Sequence, residues 1–348
     1  MTIKILSKKI GTNYPTFIIA EISANHGQSL SKAYKIIRGA ARAGVDAVKL
    51  QTYTADTMTI KNYRDKILIK NKKSPWNGQG LYELYKKGST PWNWHKKLFS
   101  YAKKLGLIAF STPFDASSLD FLETLKVPLY KISSFEVTDI PLLKKVALTK
   151  KPVILSTGMA NFDEISEAVK TLKKNGCKKI ILLKCTSSYP TNFNDVNLLT
   201  IPVLRKKFNC QIGLSDHTVG EISAITSIGL GSSVIEKHVT ISKKNSLDGS
   251  FSLNLDELKS FVKNLRIAKK CMGKIKFSPT LDEKQSLKFR RRIVAKKDIK
   301  INEKFTEKNI ICLRGVKGLL PKYYFKILNK KSKKNIRRNQ SINKTHFN

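Results

Sequence analysis

Acidic residues are scarce: 25 Asp and Glu stand against 66 Lys and Arg in 348 residues, a formal net charge of +41. Such an imbalance invites a nucleic-acid reading. The lysines, however, run along the whole chain, often beside isoleucine and asparagine, and gather into no single patch. That spread argues against dedicated nucleic-acid binding and reads as a bias in amino-acid usage, although so positive a field still draws in anionic small molecules. Long apolar runs are missing, so no segment reads as membrane-spanning. The opening MTIKILSKKIG has neither an extended apolar core nor a small-residue cleavage site, so no secretion signal is expected. Cysteines are few. Cys177, Cys185, Cys210, Cys271 and Cys312 are odd in number and show no CxxC or zinc spacing, which excludes a disulfide or zinc framework and points to a reducing cytoplasm. No GxGxxG follows the first apolar run, which counts against a dinucleotide-binding fold.

What is present suffices for a large core. Hydrophobic residues make up 41% of a chain long enough for one big domain and a small one. Eight times, a short apolar run ends in polar residues and gives way to a helical stretch. The runs are 17–23 (FIIAEIS), 47–53 (AVKLQTY), 107–112 (LIAFST), 129–134 (LYKISS), 152–158 (PVILSTG), 179–187 (KIILLKCTS), 211–218 (QIGLSDHT) and 233–240 (SVIEKHVT). Apolar spacing at Ala33, Ile36, Ile37 and Ala40 predicts a helix after the first run. A polar insertion, 54–90, follows the second, and a helix over 255–271 closes the series. Short buried strands alternating with helices demand a parallel sheet. Eight such units in about 270 residues predict an α/β fold, a (β/α)8 TIM barrel over residues 1–276. Ser278 and Pro279 read as a linker. Residues 281–348, with short β-like runs, are expected to form a small separate domain whose basic end, 330–348, frays.

In a barrel of this kind active sites collect at the carboxyl ends of the strands. His217 and His238 end two runs joined by one helical stretch, the length of a βα unit, so their strands are expected to be neighbours. The two imidazoles then lie close enough to share one ion; the plainer alternative is two unrelated surface histidines. Two imidazoles with waters or substrate oxygens suit a divalent ion such as Mn2+ or Mg2+, a Lewis acid for a carbonyl. Lys49 and Gln51 share strand parity, and Lys131 falls on the fourth run. A buried ammonium is costly unless paired, and three readings stand open: a structural salt bridge, a Schiff-base lysine, or an anion clamp by both lysines. The clamp is preferred, with the hydroxyls of Ser134, Ser156, Ser187 and Ser215 completing it. Glu21 and Glu136 are the acid–base candidates. An unpaired Glu21 behind its apolar run would have a raised pKa, while the alternative is a salt bridge to Lys49 or Lys131. The PWNWH run, with Trp92, Trp94 and His95, is expected to pack or shape the site.

Taken together, AEISANHGQSL, AGVDAVKLQTYT, LYELYKKGSTPWNWH, FSTPFD, YKISSFE, ILSTGM, LLKCTSSYPT, IGLSDHT and VIEKHVT resemble the sialic acid synthase family. Residues 290–298 and 305–323 resemble that family's antifreeze-like (SAF, β-clip) domain, so the likeness runs over nearly the whole chain. It implies a carbon–carbon bond-forming transferase that condenses phosphoenolpyruvate with an open-chain N-acylated amino sugar and releases phosphate. KLQTYT and TPWNWH point to the branch acting on a 2,4-diacetamido-2,4,6-trideoxy-altrose, with the neuraminic and legionaminic branches as alternatives. The resemblance implies that a metal on His217 and His238 polarises the aldehyde. It assigns phosphoenolpyruvate to Lys49, Lys131, Ser134, Ser156, Ser187 and Ser215, and the sugar hydroxyls and attacking water to Glu21 and Glu136. Gln51, Tyr189 and Asp248 would contact the sugar. It also implies a domain-swapped homodimer whose small domain supplies an arginine to the partner barrel, a position matched by Arg314. Three departures stand out. The usual RPGxG reads Arg314-Gly315-Val316-Lys317-Gly318, FRRS reads Phe289-Arg290-Arg291-Arg292, and Gly-Pro-Asp reads Ser246-Leu247-Asp248.

Overall fold

Ile3, Ile5 and Ile10, the first buried residues of the chain, sit on a hairpin of two antiparallel strands, β1 (Ile3–Ile5) and β2 (Lys8–Ile10). The computed structural model describes residues 2–61, 67–72, 74–315 and 317–347. Nothing in the sequence announced this hairpin, because three-residue strands interrupted by lysines carry almost no period. Its isoleucines join Phe17, Ile19, Phe110, Ile154 and Val234 in one buried cluster. Those partners lie on the barrel strands, towards the end away from the polar strand ends, so the hairpin plugs the amino-terminal mouth.

The eight apolar runs form eight parallel strands: β3 (Phe17–Glu21), β4 (Ala47–Thr52), β5 (Ile108–Pro113), β6 (Tyr130–Ile132), β7 (Val153–Ser156), β8 (Ile180–Cys185), β9 (Gln211–Asp216) and β10 (Val234–His238). They pair in chain order and β10 returns to β3, which closes the barrel. The TIM-barrel expectation is met, and its reason is local. Each run is buried on both faces, as a strand covered by helices must be. Gly213 shows how tight the closure is. A Cβ there would lie 2.3 Å from the Val234 carbonyl oxygen and 2.7 Å from Leu183, so β9 can approach its neighbours only without a side chain.

Helices α1 (Leu30–Ala43), α2 (Ala55–Met58), α3 (Leu81–Gly88), α4 (Trp92–Lys104), α5 (Ala116–Thr124), α6 (Ile140–Leu148), α7 (Phe162–Lys174), α8 (Thr200–Phe208), α9 (Ile222–Gly229) and α10 (Leu255–Cys271) follow the strands. Ala33, Ile36, Ile37 and Ala40 are the buried face of α1, as their spacing predicts. Ser29 caps its start by accepting from Lys32 N, and Gly44, at φ 84°, takes the left-handed conformation that ends it. Asn161 and Asn254 start α7 and α10 with reciprocal capping boxes. The insertion after β4 holds α2, α3 and a backbone bridge between Leu68 and Gly80; residues 62–66 and 73 lie outside the described residues. No described helix is long and apolar enough to cross a membrane.

The chain divides into two compact units, Met1–Gly273 and Lys274–Asn348. The second contains α11 (Leu281–Ser286), the antiparallel pair β11 (Arg292–Ala295) and β12 (Ile310–Leu313), and α12 (Tyr324–Ile327). Its core gathers Ile293, Ile299, Phe305, Ile310, Ile327, Ile336 and Ile342. The basic end does not fray as its charge suggested. Ile336 and Ile342 are buried, and Ile299 and Ile336 exchange backbone hydrogen bonds, so two apolar anchors outweigh the surrounding lysines.

Candidate active site

Inward-pointing residues at the strand ends surround one cavity of about 610 Å³. Its floor is a buried cluster of charge. Lys49 Nζ lies 2.6 Å from Glu21 Oε2 and 3.1 Å from Glu236 Oε2, and Lys131 Nζ lies 3.8 Å from Glu236 Oε1. Lys131 also donates to Ser156 Oγ at 2.6 Å, and Ser215 Oγ donates to Glu236 Oε1 at 2.9 Å. Glu236 is therefore the hub. Burial pushes its carboxyl up, but Lys131, Lys49 and Ser215 together outweigh burial and hold it down at about 2. Burial also lowers Lys49, against the pull of Glu236 and with the help of Lys131, to about 8. At neutral pH Lys49 carries its charge, and both lysines face carboxylates.

One corner of the cavity is built from hydroxyls. Gly158 N donates to Ser134 Oγ at 3.0 Å. A Cβ on Gly158 would stand 2.3 Å from Ser187 Oγ and 2.8 Å from Ser134 Oγ, so only glycine lets the two serines converge. Next to this corner, with Cys185 Sγ 3.8 Å from Ser187 Oγ and 3.9 Å from His217 Nδ1, the ring centroids of His217 and His238 are 5.2 Å apart. His217 Nδ1 donates to the Thr186 carbonyl at 3.1 Å, and His238 Nδ1 faces Asp248 Oδ2 at 3.4 Å, long for a hydrogen bond. With each Nδ1 turned to an acceptor, Nε2 of the neutral ring keeps its lone pair free, the arrangement that suits shared binding of a divalent ion. Burial lowers the His238 pKa and so favours the neutral ring that binds a cation. Burial also pulls His217 down, but Cys185, the Thr186 carbonyl and Asp216 outweigh it and raise its pKa, so protons compete more strongly with a cation there than at His238. Among the described residues no group of three or more His, Cys, Asp or Glu could hold a metal ion. The two imidazoles would need waters or substrate oxygens to complete a coordination sphere.

The cavity brings together Lys49, Gln51, Lys131, Ser134, Glu136, Ser156, Ser187, Tyr189, Ser215, His217, His238 and Asp248. Burial raises the pKa of Glu136, which outweighs its hydrogen bond from Ser133. Glu21 has a different place from the one its apolar run suggested. It is fully buried behind Lys49, accepts from Ser23 N at 2.8 Å, and does not line the cavity, so it serves as a counter-ion. Arg314 lies in the second unit, exposed, just past β12, and Val316 in its loop lies outside the described residues. The PWNWH residues pack: His95 is buried against Phe99 and Phe121 and Trp94 lies edge-on to His26. Residues that sequence reading gave no role include Glu236, Cys185 and an apolar outer wall containing Trp76, Leu81, Leu84, Phe114 and Phe251. For Glu236 a signal was available: it shares parity with His238, and buried lysines require a carboxylate.

Comparison with known proteins places these features in a family. The NeuB family signature matches residues 36–277 and the SAF domain signature matches residues 290–348. The chain is 40% identical over 339 residues to the pseudaminic acid synthase of Campylobacter jejuni subsp. jejuni serotype O:23/36 (strain 81-176), covering 97% of this chain and 98% of that one. It is 39% identical over 337 residues to the N,N'-diacetyllegionaminic acid synthase of Campylobacter jejuni subsp. jejuni serotype O:2 (strain ATCC 700819 / NCTC 11168), covering 94% and 98%. The crystal structure of N-acetylneuraminic acid (sialic acid) synthetase from Leptospira borgpetersenii serovar Hardjo-bovis in complex with citrate superposes with a TM-score of 0.74 at 32% identity, covering 82% of this chain and 95% of that one. The chain belongs to the NeuB family, as a (β/α)8 barrel followed by a SAF domain.

Proposed function

We propose that this protein is a pseudaminic acid synthase, condensing phosphoenolpyruvate with 2,4-diacetamido-2,4,6-trideoxy-β-L-altrose and water to give pseudaminic acid and phosphate. The observation that carries the reading is a single cavity that sets the Lys49–Glu236–Lys131 cluster and the serine corner beside the His217–His238 pair. Lys49 and Lys131, with Ser134, Ser156, Ser187 and Ser215, would hold the phosphate and carboxylate of phosphoenolpyruvate. Glu136, whose raised pKa suits proton transfer, would serve the sugar hydroxyls and the attacking water. Gln51, Tyr189 and Asp248 would orient the sugar. The apolar outer wall suits the methyl of a 6-deoxy sugar better than a hydroxymethyl group.

A divalent ion, Mn2+ or Mg2+, would be held by His217 and His238 and would supply Lewis-acid polarisation of the sugar aldehyde. Electrostatics support it. Lys49 and Lys131 are balanced by Glu21 and Glu236, and Asp248 adds a further acid, so the floor alone offers an anion little net attraction. No described residue lining the cavity is an arginine, which supports a homodimer in which Arg314 serves the partner's cavity. Five free cysteines fit the reducing cytoplasm where phosphoenolpyruvate is made.

The test is phosphate release from phosphoenolpyruvate with a panel of amino sugars, with and without Mn2+ after chelation. The altrose derivative should react fastest and only with the ion restored. Faster turnover of the legionaminic or neuraminic precursor would move the protein to that branch. Release untouched by chelation would remove the ion's role, and no release with any sugar would refute the synthase reading.

A further inference from the structure

Asp216 and Lys237 immediately precede His217 and His238, and they are register partners on β9 and β10. Side chains alternate along a strand, so the histidines face the cavity while Asp216 and Lys237 face outward. Leu214, Ile235 and Val239, on the same side, belong to the cluster packed under α1, α9 and α10. Lys237 Nζ lies 2.8 Å from Asp216 Oδ2, and both side chains are 0% exposed. Nζ also donates to the Thr218 carbonyl. Asp216 Oδ1 accepts from Thr218 N at 2.9 Å and Thr218 Oγ1 at 2.8 Å. The residues on either side of His217 are thus gripped by one cation that belongs to the strand of His238.

Stability alone does not account for this arrangement. A fully buried ion pair carries a desolvation cost that well-packed apolar residues avoid. Its charge-assisted bonds are directional and fix the height of one strand end against the other, which aliphatic packing does not. We propose that the Asp216–Lys237 pair is a positioning device that locks the carboxyl ends of β9 and β10 together so that the two imidazoles meet at one ion. The proposal rests on the reading of His217 and His238 as the ion-holding pair.

The experiment uses full-length Asp216→Asn, Lys237→Met and the double variant. Three quantities are measured: melting temperature, Mn2+ affinity from the free-ion electron paramagnetic resonance signal, and the ring resonances of 15N-histidine in metal-free protein. Each single variant should melt below the parent, and the double variant should recover, because it leaves no unpaired charge buried. The recovered double variant should nevertheless bind Mn2+ about tenfold or more weakly. Its His217 and His238 signals should move while those of His26, His95 and His346 stay. kcat should fall with the KM for phosphoenolpyruvate held within about twofold. A folded double variant with parental ring signals and Mn2+ affinity overturns the proposal. So does a double variant that fails to fold, since the pair would then serve the fold itself. If the parent binds no Mn2+, the ion reading alone fails, and the ring signals still decide what the pair does.

Discussion

Replacing Glu236 with glutamine tests the charged floor most directly. The side chain keeps its length and its bond to Ser215 but leaves two buried ammonium groups without their shared carboxylate. Lys49 retains Glu21 at 2.6 Å, whereas Lys131 is left with the Ser156 hydroxyl and the Ile132 carbonyl. Removing one partner of a buried pair costs about 3–5 kcal/mol. For a unit of this size that lowers the melting temperature by roughly 6–20 °C. Anion binding should respond in the opposite sense. In the parent an incoming phosphate competes with Glu236 for the lysines; in the variant it fills the vacated place. Differential scanning fluorimetry with added phosphate or phosphoenolpyruvate should therefore show a larger stabilisation of E236Q than of the parent. Turnover should still fall, because Lys49, deprived of a partner that raises its pKa, drops below its value of about 8 and loses charge near neutrality. Melting within about 2 °C of the parent, or equal stabilisation of both proteins by phosphate, would refute the hub assignment.

The parent itself carries a pH signature. Lys49 is an ammonium below about 8, so kcat/KM for phosphoenolpyruvate should hold at neutral pH and fall as the pH rises through that value. Stability should move the other way between about 8 and the ordinary 10.5, because there the unfolded lysine binds a proton that the folded one has shed. Gly158→Ala should push Ser134 and Ser187 apart and raise the KM for phosphoenolpyruvate by about tenfold while costing roughly 1–3 kcal/mol of stability; steady-state kinetics and a denaturant melt check both. Trp76 donates to the Leu247 carbonyl at 2.9 Å and lies against Tyr189. Trp76→Ala should raise the KM for the sugar, leave that for phosphoenolpyruvate unchanged, and narrow the preference for a 6-deoxy sugar over N-acetylmannosamine in competition assays.

The barrel was legible because its signal is local. Each strand run is short, apolar and closed by polar residues, and each helix shows its own period, as Ala33, Ile36, Ile37 and Ala40 do on α1. Strand parity carried further: it placed Lys49 with Gln51, and the one-unit spacing made the strands of His217 and His238 neighbours. The family motifs then supplied the reaction. Less visible were elements without a period, such as the N-terminal hairpin and the tied-down basic end.

By itself, then, the order of residues determined which segments become strands, which polar groups crown them, and the family to which they belong, since these follow from neighbours a few positions apart. Closure of the ring decided the rest. It turned Glu21 into a counter-ion behind Lys49, made Glu236 the junction of two ammonium groups, set Cys185 beside His217, and laid Trp76 against Tyr189. Those are contacts between residues far apart in the chain. Whether a buried carboxylate meets a lysine or open solvent depends on through-space distance and desolvation, and neither is encoded in the spacing of any one segment.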